Sequence, residues 1–164
     1  MKQITEDLDL DTTDLRILDQ LQTDASLSNQ ALAERVHVSP PTCLRRVKRL
    51  LDAGLIERQV AVLNADQLQP LIGHGLTAIV EVMLTEQNAE ALAAFEARIA
   101  VHDAVQQCYR VSPGPDFVLI VYVRDMPAYQ QFAQQCLSAD VLVRNVKTYF
   151  SLQRSKFSPR IALF

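Results

Sequence analysis

The 164-residue sequence predicts an α+β protein in which an N-terminal winged helix-turn-helix is joined by a linker to a C-terminal ferredoxin-like βαββαβ domain. Three observations predict it. Helical patterns with explicit caps end at Gly54, a Pro- and Gly-bearing stretch follows Leu63, and β-branched runs alternate with amphipathic runs from Thr77 onward. The expected boundaries are 1–63 for the first domain, 64–76 for the linker and 77–164 for the second domain.

The helix ends carry the first part of the argument. Asp11 precedes a helix over Thr12–Thr23, and Asp14 three residues on completes the pattern of a capping box with Asp in place of Glu. Leu15, Ile17, Leu18 and Leu21 form its expected buried stripe. Ser28 caps a short helix over Asn29–Val36, whose Leu32, Ala33 and Val36 face inward, and His37-Val38 is the tight connection to the next helix. That helix runs from Ser39 to Ala53: Ser39 is the N-cap, Pro40 and Pro41 fill the first turn where a missing N–H costs nothing, and Gly54 is the stop. At roughly 100° per residue, Cys43, Leu44, Val47, Leu50 and Leu51 share one arc, while Pro41, Thr42, Arg45, Arg46, Lys48 and Arg49 occupy the rest. Leu55–Leu63 is rich in β-branched residues and reads as the wing and exit strand.

A short helix, a tight turn and a second capped helix form the arrangement that lays its second helix in the DNA major groove. The ordinary explanation of basic residues on a helix is a solvated face, so the local charge balance decides. From Glu34 to Arg58, six bases (Arg35, Arg45, Arg46, Lys48, Arg49 and Arg58) meet three acids (Glu34, Asp52 and Glu57). Upstream the sign reverses, with Glu6, Asp7, Asp9, Asp11, Asp14, Asp19 and Asp24 against Lys2 and Arg16. At net charge −3 and pI ≈ 5.6 the chain does not bind DNA by bulk charge, so the basic patch has to act locally and in multiples. Arg45, Arg46, Lys48, Arg49 and Arg58 are the expected phosphate contacts to double-stranded DNA, and Pro41, Thr42, Arg45, Arg46 and Arg49 are expected at base edges. Ser28, Asn29 and Ser39, at the helix starts, complete the expected set.

Length and a 49% hydrophobic content allow a second domain with its own core. Cys43, Cys108 and Cys136 are odd in number and lack metal-ligand spacing, and no apolar N-terminal run suggests export, which together point to a reducing cytoplasm. His37, His74 and His102 are scattered and read as surface or loop residues, so no metal site is expected. No apolar run reaches the ~20 residues of a membrane span. No catalytic pattern of nucleophile and base, paired carboxylates or phosphate loop is present, so the expectation is a protein that is not an enzyme and carries no cofactor.

In the second half, Thr77–Leu84 reads as a strand, Asn88–Ile99 as a helix with Leu92, Phe95 and Ile99 inward, and Ala104–Val111 and Phe117–Val123 as strands around a Pro/Gly turn. Pro127–Leu137 reads as a helix and Val141–Leu152 as the last strand. This order predicts an antiparallel sheet with both helices on one face. Val80, Val82, Ile120 and Tyr122 against Ile79, Leu119 and Val121 suggest that both faces are apolar, and a second subunit is expected to cover the free one.

The run Ser39-Pro40-Pro41-Thr42-Cys43-Leu44-Arg45-Arg46, with Leu10-Asp11…Asp14…Ile17-Leu18, Leu27-Ser28-Asn29…Leu32-Ala33, Leu55-Ile56 and Asp125-Met126…Tyr129, resembles the Lrp/AsnC family of bacterial and archaeal transcription regulators over nearly the whole chain. The resemblance implies a homodimer built from back-to-back sheets, assembly to an octamer or higher, and control by a free amino acid bound between subunits. In that family the turn between the middle strands carries a Thr/Ser-Gly-x-x-Asp-Tyr motif that holds the effector. The matching residues here are Ser112, Pro113, Gly114, Asp116 and Phe117: Pro113 stands at the usual Gly position, Gly114 is shifted by one and Pro115 stiffens the loop. Arg110, Met126 and Phe150 match positions near the family's pocket, and Arg110, where a smaller apolar residue is usual, implies an acidic or unusually polar ligand. Two other functions fit the same architecture: an enzyme resembling the sirohaem decarboxylases, with Tyr109, Arg110 and the histidines around a tetrapyrrole, and a DNA-architectural protein without an effector.

Overall fold

A computed structural model describes residues 9–73 and 75–164. The expectations made for His74 and for the charges of Lys2, Glu6 and Asp7 lie outside these residues. The chain divides into two compact units, one running to Val62 and including Phe157–Phe164, the other comprising Leu63–Lys156.

In the first unit, α1 (Thr12–Thr23) begins with a reciprocal capping box: the Asp14 N–H donates to the Asp11 carboxylate at 2.9 Å and the Asp11 N–H to that of Asp14 at 3.2 Å. The Ser28 hydroxyl accepts from the Ala31 N–H at the start of α2 (Asn29–Arg35). At the end of α2 the His37 N–H donates to the Glu34 carbonyl and the Val38 N–H to the Ala33 carbonyl. This Schellman pairing sets His37 at φ 58°, a position that glycine usually fills. In α3 (Pro40–Asp52) Ser39 spends its hydroxyl on that of Thr42, so the helix start relies on Pro40 and Pro41 needing no donor partner. A second Schellman pairing, Gly54 N–H to Leu51 and Leu55 N–H to Leu50, ends α3 with Gly54 at φ 73°.

Ile17, Leu32, Ala33, Val36, Cys43 and Leu50 form the buried core of this unit, with Leu18, Leu21 and Val47 at its edge. Two expectations are corrected. Leu15 lies outside this cluster, and Leu44 and Leu51 are 60% and 43% exposed. The apolar stripe of α3 is narrow because two short helices line only one side of it. The strand expected over Leu55–Leu63 is also not formed. An extended segment becomes a strand only where a partner takes up its N–H and C=O groups, and none of the described residues pairs with it, so Val60, Val62 and Leu63 stand exposed.

The second unit opens with α4 (Ala65–Ile72), capped by Asn64 accepting from the Gln67 N–H and carrying Pro70 inside. The stretch expected to be a linker therefore contains a helix of two turns. Then follow β1 (Leu76–Leu84), α5 (Ala89–Ile99), β2 (Val105–Arg110), β3 (Phe117–Val123), α6 (Met126–Ala133), a π-helical turn over Gln134–Ser138, and β4 (Val143–Phe150). The strands form one antiparallel sheet in the order β2-β3-β1-β4, which makes the protein α+β with a ferredoxin-like second unit.

The register corrects the expected division of faces. Val80 stands opposite Leu119 and Thr148, while Ile79 stands opposite Ile120 and Tyr149. Ala78, Val80, Val82, Phe117, Leu119 and Val121 thus share the face sealed by Phe95 and Ile99 of α5 and Phe132 of α6. Ile79, Ile120, Tyr122 and Tyr149 share the other face, where Glu81 stands opposite Lys147. Each strand was expected to carry both sets, but alternation within a strand does not say which residue faces which across the ladder.

The left-handed backbone at His37 yields a stability test. A non-glycine residue there costs about 1–2 kcal/mol, partly offset because glycine loses more freedom on folding, about 0.5–1 kcal/mol. His37→Gly is expected to stabilise the helix-turn-helix by roughly 0.5–1 kcal/mol, seen as a higher urea midpoint at unchanged slope. A lower midpoint would mean that the imidazole makes a contact stronger than the strain it imposes.

Candidate nucleic-acid interface and effector loop

The basic helix is tied to the rest of its unit by one buried charge. Asp14 is fully buried, and its carboxylate accepts from Nη1 of Arg46 at 2.8 Å and from Nη2 of Arg49. Arg46 Nη1 also meets Asp11 at 2.7 Å. The Asp14 N–H, together with Arg46, holds the Asp11 carboxyl below its ordinary value, and Asp14 and Asp11 push the Arg46 guanidinium upward. The Arg46 and Arg49 side chains are 23% and 44% exposed, and Arg46 Nε is buried with no hydrogen-bond partner among the described residues. Asp11, Arg45, Arg46 and Arg49 line a hollow of about 150 Å³ at this junction.

The expected DNA-binding residues therefore separate by position. Pro41, Arg45 and Lys48 lie exposed on α3, and no described residue pairs with the cations of Arg45 and Lys48. Thr42 is half-buried against Ser39, and Asn29 donates its side-chain amide to the Pro40 carbonyl at 2.8 Å, locking the start of α2 to the start of α3. Ser28 serves as a cap, and Arg58 lies beyond the helix, exposed and 3.8 Å from Glu57. Arg46, expected on the solvent side, turns inward because a buried carboxylate must be paired. From the sequence, Asp14 reads as a capping residue and one of the upstream acids, not as a buried partner of α3. The spacing Leu10, Asp14, Ile17, Leu21 shows that it shares the apolar face, which is the signal of a buried charge.

The residues expected around an effector fall into two groups. Arg110, Ser112, Pro113, Gly114 and Asp116 lie at or beside the β2–β3 turn, at the end of the sheet where β1 finishes. Met126 begins α6 just after β3, and Phe150 ends β4 opposite Ala78, so both lie at the other end. Asp116 is nearly buried. Its carboxylate accepts from the Leu84 N–H at 2.7 Å, its N–H donates to the Val82 carbonyl, and its own carbonyl accepts from Val111. Arg110 forms two bonds to the Glu96 carboxylate, at 3.0 and 2.8 Å, and lies over the Phe117 ring. His102 lies in the loop between α5 and β2, half-buried, with Cys136 Sγ at 3.4 Å from Nε2 and the Phe132 ring edge-on. Among the described residues no group of three or more His, Cys, Asp or Glu is placed to hold a metal, and no helix is long and apolar enough to cross a membrane.

Two family models match the chain: a winged helix-turn-helix DNA-binding domain over residues 10–57 and the Lrp/AsnC ligand-binding domain over residues 77–161. A leucine-responsive regulatory protein of Rhizobium meliloti is 38% identical over 149 residues, covering 91% of this chain and 93% of that protein. The leucine-responsive regulatory protein of Escherichia coli K12 is 33% identical over 155 residues, covering 94% and 92%. A transcriptional regulator of Neisseria meningitidis crystallised with L-methionine superimposes with a TM-score of 0.81 at 30% identity, covering 94% of this chain and 97% of that one.

Breaking a buried pair by removing one partner costs about 3–5 kcal/mol. Asp14→Ala is expected to destabilise the helix-turn-helix by about 3 kcal/mol, whereas Arg45→Ala, with its cation unpaired, should stay within about 0.5 kcal/mol of wild type. Urea denaturation of both variants measures this, and equal stabilities would remove Asp14 as the tie between α1 and α3.

Proposed function

We propose, since the chain belongs to the Lrp/AsnC family of transcription regulators and carries its DNA-binding and ligand-binding domains, that it reads duplex DNA through α3 and responds to a free amino acid. The observation that carries the reading is the outer face of α3, where Pro41, Arg45 and Lys48 stand exposed on a helix whose ends and rotation are fixed. In this reading Arg45, Lys48, Arg49 and Arg58 contact phosphates, and Pro41, Thr42 and Arg45 meet base edges, as a guanidinium does when it bonds O6 and N7 of guanine. Arg46, Asn29, Ser28 and Ser39 hold that surface in place. The chain acts as a switch in the cytoplasm, not as a catalyst, in keeping with relatives that are named as regulators.

The effector half of the proposal rests on the two ends of the sheet. An amino-acid site that uses the β2–β3 turn together with Met126 and Phe150 draws them from different copies of the chain, because one sheet holds them apart. The effector then sits between subunits of a homodimer that assembles further, to an octamer or higher, with the apolar face of Ile79, Ile120 and Tyr149 as its first interface. Backbone donors around Pro113 and Gly114 suit an α-carboxylate, and Asp116, while bracing Leu84, presents its second oxygen to an α-ammonium. Opening of the Arg110–Glu96 pair would supply a cation for a polar side chain. The L-methionine complex of the Neisseria meningitidis relative supports the choice of an amino acid.

Selection of duplexes from a random-sequence pool by the intact protein tests the first half. The selected duplex should be bound with a steep salt dependence, and Arg45→Ala and Lys48→Ala should each flatten the log–log slope by about 0.9. Thermal shift against the twenty amino acids tests the second half, with at least one expected to raise Tm. Failure to enrich any duplex at low salt would overturn the DNA-reading function; a flat response to all twenty would overturn the effector.

A further inference from the structure

Residues Phe157–Phe164 follow the last strand of the sheet, yet they belong to the compact unit of the helix-turn-helix. Helix α1 holds them there. The Gln22 side-chain amide pairs with the Ile161 backbone in both directions, donating to its carbonyl at 2.7 Å and accepting its N–H at 2.9 Å. One residue earlier, the Arg160 guanidinium meets the Asp19 carboxylate at 2.6 Å and holds that carboxyl below its ordinary value. Gln22 also donates to Asp19 at 3.4 Å, so two groups three residues apart on one helix face form a single receptor. An amide that reads a peptide backbone in both directions takes an extended segment, and the carboxylate beside it requires a cation in that segment.

We propose that this face of α1 is a docking site for the chain's own C-terminal segment, and that the docked tail acts as a second tether on the DNA-binding unit. The first tether is the chain after Val62, which runs through α4 into β1. The second leaves β4 at Phe150 and reaches Phe157 across residues 151–156. β1 and β4 are antiparallel neighbours, with Ala78 opposite Phe150 and the Ser151 N–H donating to the Thr77 carbonyl at 2.9 Å, so both tethers leave the same end of one strand pair. On α1 the path continues inward, because Asp14 and Asp11 grip Arg46 and Arg49 of α3. A tie that starts at the sheet therefore ends at the reading helix.

A unit on one connection samples many orientations, and a second connection removes most of them. A regulator that presents two copies of its reading helix at a set spacing on DNA gains affinity from that restriction. The role as a tether rests on the DNA-reading function proposed above; the docking itself does not. Arg160 is half exposed and surface pairs of this kind are weak, so the docked form outweighs the open one by a ratio on the order of ten to a hundred and remains reversible.

Trypsin cuts after Arg160 and after Lys156, and the second cut serves as an internal reference outside the Gln22 and Asp19 contacts. In the intact protein, cleavage after Arg160 should be slow and should accelerate about tenfold in an Asp19→Asn, Gln22→Ala double variant. Equal rates would overturn the docking, and protection that rises with protein concentration would assign the tail to a second copy and overturn the intramolecular form. With a duplex selected by the intact protein, a chain ending at Lys156 should bind at least fivefold more weakly, and random-sequence duplex should be bound within twofold of wild type. Asp19→Arg should reproduce the loss and Asp19→Arg with Arg160→Asp should restore affinity. Unchanged affinity in all of these would overturn the tether, whereas failure of the intact protein to select any duplex would remove the DNA-reading function and leave the trypsin result to decide the docking.

Discussion

The fully buried carboxylate of Asp14 determines how the helix-turn-helix is put together. A charge lowered into a core of Ile17, Leu32, Val36 and Leu50 costs several kcal/mol unless it is paired. Its own helix supplies no cation on that face, so the partners come from α3. Arg46 and Arg49 are three residues apart and reach the same carboxylate from one side of their helix. That requirement fixes the rotation of α3: Cys43 and Leu50 turn to the core, Leu44 and Leu51 to water, and Arg45 and Lys48 outward. A hydrophobic arc alone would have allowed a rotation with Leu44 and Leu51 inside. The buried charge excludes it.

Features set by local chemistry were legible in the sequence. Asp11, Ser28 and Gly54 mark helix limits because caps act within four residues. Features set by pairing across the chain were not. Register depends on which residue faces which, so Val80 was grouped with Ile120 and Ile79 with Leu119, the reverse of the ladder, although both strands were found. The exit strand over Leu55–Leu63 had the right residue types but no partner strand among the described residues. The helix Ala65–Ile72 was hidden by Pro70 and the glycines after it, although Asn64 is a good cap. At the candidate site, the bases of α3 were visible, but their division into inward and outward sets required the depth of Asp14. The Arg110–Glu96 pair joins β2 to α5 and has no local signature.

In the proposed function the sheet links assembly to ligand binding by geometry. Its inner face is sealed by α5 and α6, while the outer face carries Ile79, Ile120, Tyr122 and Tyr149 with Glu81 and Lys147 standing opposite each other. Such a face suits a self-complementary interface, in which the same patch of both copies meets across a two-fold axis. In the proposed function, with the effector residues split between the two ends of the sheet, ligand affinity would depend on how copies are arranged, and the arrangement in turn on ligand. This reciprocity is what an allosteric regulator requires.

The magnitudes indicate where control can act. The Asp14 network costs about 3–5 kcal/mol to break, whereas coupling between an effector and a distant site is typically 1–3 kcal/mol. A bound amino acid is therefore too weak to rearrange α3 within its unit. The attachments of that unit are softer: a segment over residues 56–63 outside any helix or strand, a helix of two turns carrying Pro70, and surface contacts at Asp19 and Gln22. The surface contacts, at about 1 kcal/mol for each hydrogen bond or ion pair, lie within reach of an effector of that strength. In the proposed function, regulation works by changing how rigid readers are oriented and counted along the DNA, while each reader keeps its own shape.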